Sequence, residues 1–201
     1  GFALRDQALV ASNLYVAGIG GPSVKPYMPP RIWRSISNNS YKQGTGDNLY
    51  RRSLYTYWRR TIPPPTMMNF NAAAREVCIV RTEQTNTPLQ ALTLLNNVIF
   101  IESARNLAQQ AVLHGGASDT EQITFAFQSV LTRTPTPHEL QILSDSLEFF
   151  RRRFAEHPDE AGALIQVGNS KASEELDKQQ LAALTMVAST IFNLDEAITK
   201  R

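Results

Sequence analysis

The chain has 201 residues, 42% of them hydrophobic and 19% charged, with a formal net charge of +2 at pH 7. That is room for one domain, with or without an extended arm, and enough apolar side chain for a sizeable core. No apolar run reaches the ~18–20 residues that cross a bilayer, and no signal peptide is visible in a chain that starts GFALRDQ, a start that reads as a cut inside a longer polypeptide.

The lone cysteine, Cys78, rules out an internal disulfide, a CxxCH haem attachment and a cysteine-rich zinc site within these residues. It reads as a small buried hydrophobe. The small net charge conceals an asymmetry. Residues 21–90 carry ten Lys/Arg against three Asp/Glu, a local +7, whereas residues 91–201 carry nine against fourteen, a local −5. Two explanations stand: the halves attract each other across an internal interface, or the first half offers a basic surface to an acidic ligand.

In chain order, residues 2–17 have the spacing of an amphipathic helix, with Leu4, Ala8, Ala11 and Tyr15 near one face. Gly18 to Pro22 breaks it. From Pro22 to Asp47 prolines, asparagines and glycines predict coil, with residues 31–36 compatible with a short helix or a strand. Asp47 is placed to cap a helix over 48–60, in which Tyr50, Leu54, Tyr57 and Trp58 sit at helical spacing, bracketed by Arg51, Arg52, Arg59 and Arg60. The aromatic and threonine content also fits a strand. Pro63-Pro64-Pro65 ends that element, and Met67, Met68 and Phe70 dock as hydrophobic anchors.

Residues 75–84 read as extended. Thr87-Pro88-Leu89-Gln90 is then a full capping box with proline at the first helical position. The helix it opens is predicted to run to Val112, with Leu94, Val98, Ile101, Ala104, Ala108 and Val112 inward, and to be the central helix of the domain. Ser118 with Glu121, Thr136-Pro137 with Glu139, and Asp177 with Gln180 open three further helices. A short helix near 159–167 and a closing turn at 193–196 complete the chain. The fold class is mainly α: an irregular helix bundle with a long proline-rich, largely coil segment in its first half. We expect a single domain over 1–201, with a helix plus a long basic coil-rich arm over 1–86 and a helical core over 87–201.

Five segments carry a family resemblance: RDQAL at 5–9, IGGPSVKPYMPP at 19–30, LYRRSLYTYWRRT at 49–61, the long block PPPTMMNFNAAAREVCIVRTEQTNTPLQALTLLN at 63–96, and ASTIFNLDEAITKR at 188–201. Together they resemble the planctomycete-type C-terminal domain of unknown function, found at the end of large exported proteins with a planctomycete-type cytochrome c domain further upstream. The resemblance implies a C-terminal module of a periplasmic or extracellular multidomain protein. Haem c would belong to an upstream domain, with no cofactor in this chain. It carries no catalytic residues with it.

Candidate ligand residues are Arg51, Arg52, Tyr55 and Trp58 in the basic–aromatic block, and Arg75, Glu76, Arg81 and Asn86 in the stretch leading into the Thr87 helix. Arginine's planar fork suits carboxylate and sulfate groups, and aromatics beside it can stack on sugar rings. The same residue types also pin irregular backbone to a core. Asp6 and Glu76 are the carboxylates available for acid–base work, which needs a pair ~5–10 Å apart; Asp195 and Glu196 read as capping or solvated. His114, His138 and His157 lack metal-ligand spacing, so no metal site is expected. Met28, Met67, Met68 and Met186 read as core filling. Expected partners are the upstream domains of the same polypeptide and an acidic polysaccharide, with no nucleic acid and no membrane span. The alternative is part of an active site for polysaccharide degradation, hydrolytic or redox-linked, which requires Asp6, Arg75, Glu76 and Arg81 to converge in one cleft.

Overall fold

The computed structural model describes residues 1–36, 40–73, 78, 80 and 85–199. Ten α-helices occur among the described residues: α1 (Phe2–Ala11), α2 (Ile32–Ile36), α3 (Pro65–Asn69), α4 (Pro88–Asn96), α5 (Val98–His114), α6 (Asp119–Leu131), α7 (Pro137–Glu156), α8 (Pro158–Ile165), α9 (Lys178–Phe192) and α10 (Asp195–Ile198). Between α2 and α3 lie two 3-10 turns, Gly46–Leu49 and Ser53–Tyr55. Extended pairing among the described residues amounts to isolated bridges, Val16 with Arg51, Val24 with Thr56 and Arg59 with Ile62. The protein is a mainly α, irregular helix bundle with a coil-rich first half.

Helices α5 and α9 form the centre. Seven consecutive residues of α5, Glu102 to Ala108, are buried, so this helix is enclosed on all sides. Alanines at 104, 108 and 111 on α5 and at 182, 183 and 188 on α9 are at most 1% exposed, and such small side chains let packed helices approach closely. Helices α6, α7 and α8 pack around the pair, with Phe127, Leu143, Leu147 and Phe154 filling the space, and α1 closes one side through Ala8 and Leu9.

The capping signals act as expected. Thr87, Ser118 and Thr136 each form a reciprocal box with Gln90, Glu121 and Glu139, and Asp177 accepts from the Gln180 amide at 2.8 Å. Each such cap stabilises its helix by ~1 kcal/mol.

Five local expectations are corrected. The first helix ends at Ala11, because Asn13 turns left-handed (φ 57°) and the amides of Leu14 and Tyr15 both fold back onto the Leu9 carbonyl. Residues 48–60 form no α-helix. Backbone groups that a helix would use internally are engaged elsewhere: the Leu49 and Arg51 carbonyls accept from the Arg5 guanidinium at 2.6 and 2.9 Å, and Val24 bonds the Tyr55 carbonyl and the Tyr57 amide. The single helix over 88–112 is two. Asn97 sits in extended conformation between them, its side chain capping the Ile99 amide at 3.1 Å and donating to Thr66 at 2.8 Å; asparagine competes well with helical backbone bonds. That break re-aims α4, which buries Gln90 and Leu94 and leaves Leu89, Leu92 and Leu95 outward, followed by Val98. Of the stripe expected inward, Leu94, Ala104 and Ala108 are buried and Ile101 and Val112 half-buried, whereas Val98 is exposed. Lastly, Cys78 is exposed rather than buried. Most of the segment read as extended, including Arg75, Glu76, Val77 and Arg81, lies outside the described residues.

Candidate functional site

In the coil-rich half the arginines divide into two groups. The first serves the backbone. Arg5, 4% exposed, donates to the Leu49 and Arg51 carbonyls and to Ser53 Oγ, and burial pushes its guanidinium down to about 10, far enough above neutrality to stay charged. Asp6 lies 3.6 Å from that guanidinium and accepts from the Ser53 amide at 2.8 Å. Arg51 reaches the carbonyls of Gly18, Gly20 and Pro22 and lies 4.2 Å over the Tyr55 ring, whose hydroxyl accepts from the Gly20 amide. Irregular backbone has unsatisfied carbonyls, and a guanidinium with five donors satisfies several at once. Arg51 and Tyr55 thus form a clamp on the 18–22 loop, and Asp6 anchors the 3-10 turn at Ser53.

The second group faces solvent. Arg31, Arg34, Lys42, Arg52 and Arg60 are exposed. Arg31 and Arg34 flank an aromatic cluster in which buried Trp33 contacts Tyr41 (5.3 Å between centroids) and Tyr57 (6.0 Å), with Arg59 5.0 Å over its ring and Lys25 5.1 Å over Tyr57. Tyr41 is fixed by donating to the Pro26 carbonyl at 2.6 Å, and burial raises its phenol well above the ordinary value. A groove of about 330 Å³ opens beside this cluster, flanked by Arg31 and Arg34. Trp58 packs edge-on to Phe2 at 5.9 Å, and Asn86 donates to Asp195 at 3.0 Å. The structure therefore brings Arg51 and Tyr55 together, and Arg5 with Asp6, whereas Trp58 packs on Phe2 and Asn86 bonds Asp195. Of the four residues required for an active-site cleft, only Asp6 lies among those described, and its Oδ1 is occupied by the Ser53 amide and faces Arg5.

A buried polar hub on α5 was not anticipated. Glu102, 0% exposed, accepts on one oxygen, Oε1, from the Tyr50 hydroxyl (2.8 Å), the amides of Asn169 (2.8 Å) and Ser170 (2.6 Å), and the Ser170 hydroxyl (2.7 Å). The Ser170 oxygen in turn accepts from Arg105 and from Asn106 (2.9 Å), while Arg105 also donates to the Ile165 carbonyl at 3.0 Å. Tyr27 joins through the Asn169 amide, and burial holds the phenols of both Tyr27 and Tyr50 above their usual value. With both lone pairs engaged and its proton on Glu102, the Ser170 hydroxyl has no orbital left for nucleophilic attack, so the hub is a clasp. It ties the loop after α8 and two tyrosines of the coil-rich half to the central helix. Gly168 makes the fit possible: its φ is +97° and an added Cβ would stand 2.3 Å from the Glu102 Cδ. The hub's only sequence signal is a Glu and an Arg three residues apart, the only Asp, Glu, Lys or Arg side chains of α5.

Elsewhere Arg133 binds Glu139 at 2.7 Å and Glu196 at 2.7 Å over the Phe127 ring, joining α7 to α10. The histidines at 114, 138 and 157 are exposed at helix ends, and no cluster of three potential metal ligands occurs among the described residues. Met67 is buried, and Met28, Met68 and Met186 partly so. No helix among the described residues is long and apolar enough to cross a membrane.

Comparison with known proteins gives a family and no activity. No curated protein and no solved structure matches the chain. The family described as protein of unknown function DUF1553 (PSD1) matches residues 2–147, a span that takes in the coil-rich half, α5 with Glu102 and Arg105, and the first half of α7. Since that is well over half of its length, the chain belongs to the DUF1553 family.

Proposed function

We propose that this domain is a binding and assembly module of an exported, cytochrome c-associated multidomain protein, and that its basic half holds an acidic polysaccharide. The planctomycete-type, exported context rests on the sequence resemblance alone. The single observation that carries the binding reading is where the charges pair. Among the described residues the ion pairs are Arg5–Asp6, Arg133–Glu139, Arg133–Glu196, Arg151–Asp119, Arg152–Glu148 and Arg153–Glu160; none joins residues 21–73 to the acidic half. Over residues 21–60 eight Lys/Arg face one Asp/Glu, Asp47. Of these, Arg31, Arg34, Lys42 and Arg52 are exposed and outside those pairs, and they offer a basic surface to an external polyanion.

The test is the thermal midpoint of the chain with dextran sulfate, polygalacturonate or neutral dextran, at low and moderate salt. A ligand at one hundred times its Kd that binds only the folded state adds ~2.7 kcal/mol, or roughly 5–10 °C for a chain of this size. We expect that rise with the two polyanions only, reduced by salt and reduced in Arg52→Ala. Equal shifts with neutral dextran, or none with any polymer, would remove the proposal.

A further inference from the structure

We infer that the groove beside Arg31 is the seat of one acidic sugar residue, carrying a sulfate or a carboxylate, within the polymer; this rests on the function just proposed and gives it an address. Four observations converge there. The groove, about 330 Å³, lies at the lower end of the size range of small-ligand pockets. Its rim carries two exposed guanidinium groups, Arg31 and Arg34, with no ion-pair partner among the described residues, and no carboxylate lines it among those residues. Ser40, Tyr41 and Gln43 add neutral side chains suited to sugar hydroxyls, and Pro29 supplies an apolar surface for a ring edge.

The fourth observation is backbone strain at the rim. Arg31 adopts φ +70°, a left-handed conformation that costs a non-glycine residue ~1–3 kcal/mol, immediately after two prolines. Glycine would adopt it without that cost, so the arginine is there for its side chain. The chemistry favours a sugar over a nucleobase. Nucleobase binding needs an open aromatic face, whereas Trp33 is buried with its surfaces taken by Tyr41, Tyr57 and Arg59.

The experiment measures displacement of labelled dextran sulfate from the whole chain by glucose 6-sulfate, glucuronate, glucose and inorganic sulfate at constant ionic strength. Either acidic sugar should displace the polymer at least about tenfold more effectively than glucose or inorganic sulfate; which of the two does so better identifies the anionic group. Arg31→Gly should weaken polymer binding about tenfold or more while leaving the thermal midpoint unchanged or higher, and Arg34→Ala should weaken it similarly. Arg52→Ala, outside the groove, should change it about twofold. Unaltered affinity in both Arg31→Gly and Arg34→Ala, with a loss in Arg52→Ala, would overturn the groove and leave the wider basic surface standing. Displacement by inorganic sulfate as effective as by the sugars, or tighter binding of a thymidine oligonucleotide, would overturn the sugar assignment. Absence of any polyanion binding would overturn both proposals together.

Discussion

The two halves of this molecule use arginine in opposite ways. From α6 onward Arg133, Arg151, Arg152 and Arg153 pair with carboxylates of neighbouring turns or helices. In the coil-rich half Arg5 and Arg51 donate chiefly to backbone carbonyls. Helices satisfy their own backbone except at the ends, so their charged side chains are left to find one another. Coil has no such internal ladder and must recruit donors. Arg105 supports this rule from within the helical half: it bonds the Ile165 carbonyl and Ser170 where α8 gives way to loop.

The sharpest test of that division is the hub between the halves. Glu102→Ala leaves the Tyr50 and Ser170 hydroxyls and two loop amides without their acceptor, and loss of one member of a buried charged network costs ~3–5 kcal/mol. We expect a fall of roughly 10 °C or more in the thermal midpoint, with a comparable loss for Gly168→Ala, where Cβ would collide with the same carboxyl group. If Glu102→Ala were milder than any coil-side change, the halves would not be joined through this point. Next in size, Arg5→Met strands two carbonyls and Ser53 Oγ, which should cost ~2–3 kcal/mol. Amide exchange should accelerate around 49–56 and stay unchanged in α9; equal acceleration in both would mean that the halves unfold as one unit. Arg51→Ala acts at the surface and should cost ~1 kcal/mol, visible as faster proteolysis between Gly18 and Pro22.

The smallest effect comes from the paired surface of the helical half. Hydrogen bonds from Arg133, then from the Thr136 amide, pull the Glu139 carboxyl from 4.5 to about 2. A value depressed by folding means stabilisation that is complete above about pH 4.5 and disappears as the pH falls toward 2. Because the pair is exposed, the contribution is at most ~1 kcal/mol. Glu139→Gln should lower the midpoint slightly at pH 6, and the difference from the native chain should vanish between pH 4.5 and 2. A constant difference across that range would assign the effect to the cap at Thr136 rather than to charge.

What the sequence made legible was local. Thr87, Ser118, Thr136 and Asp177 announced their helices because a cap is complete within four residues. The course of residues 48–60 was not legible, because Arg5, more than forty positions away, decides where those carbonyls bond. Nor was the break at Asn97: the apolar spacing of Leu94, Val98 and Ile101 continues smoothly through it, and only the asparagine side chain's bonds to Ile99 and Thr66 reveal the stop. In the candidate site, the basic–aromatic character of 47–60 was visible, but not its division. The sequence gives no sign that Arg51 clamps a loop, or that Arg31 and Arg34, outside the block that drew attention, flank a groove. Glu102 looked like any charged residue on a helix, since burial by three other segments is a tertiary fact.

The re-aimed α4 has a practical consequence. Residues 85–101 contain no ionisable side chain, and Leu89, Leu92 and Leu95 on that stretch are 56%, 56% and 44% exposed. An uncharged leucine ridge repels nothing at any pH, so adjusting pH toward or away from the isoelectric point gives it no electrostatic shield. Self-association of the purified chain should therefore start at this ridge, grow with sulfate concentration as excluded salts strengthen apolar contact, and be relieved by a single outward charge such as Leu92→Glu.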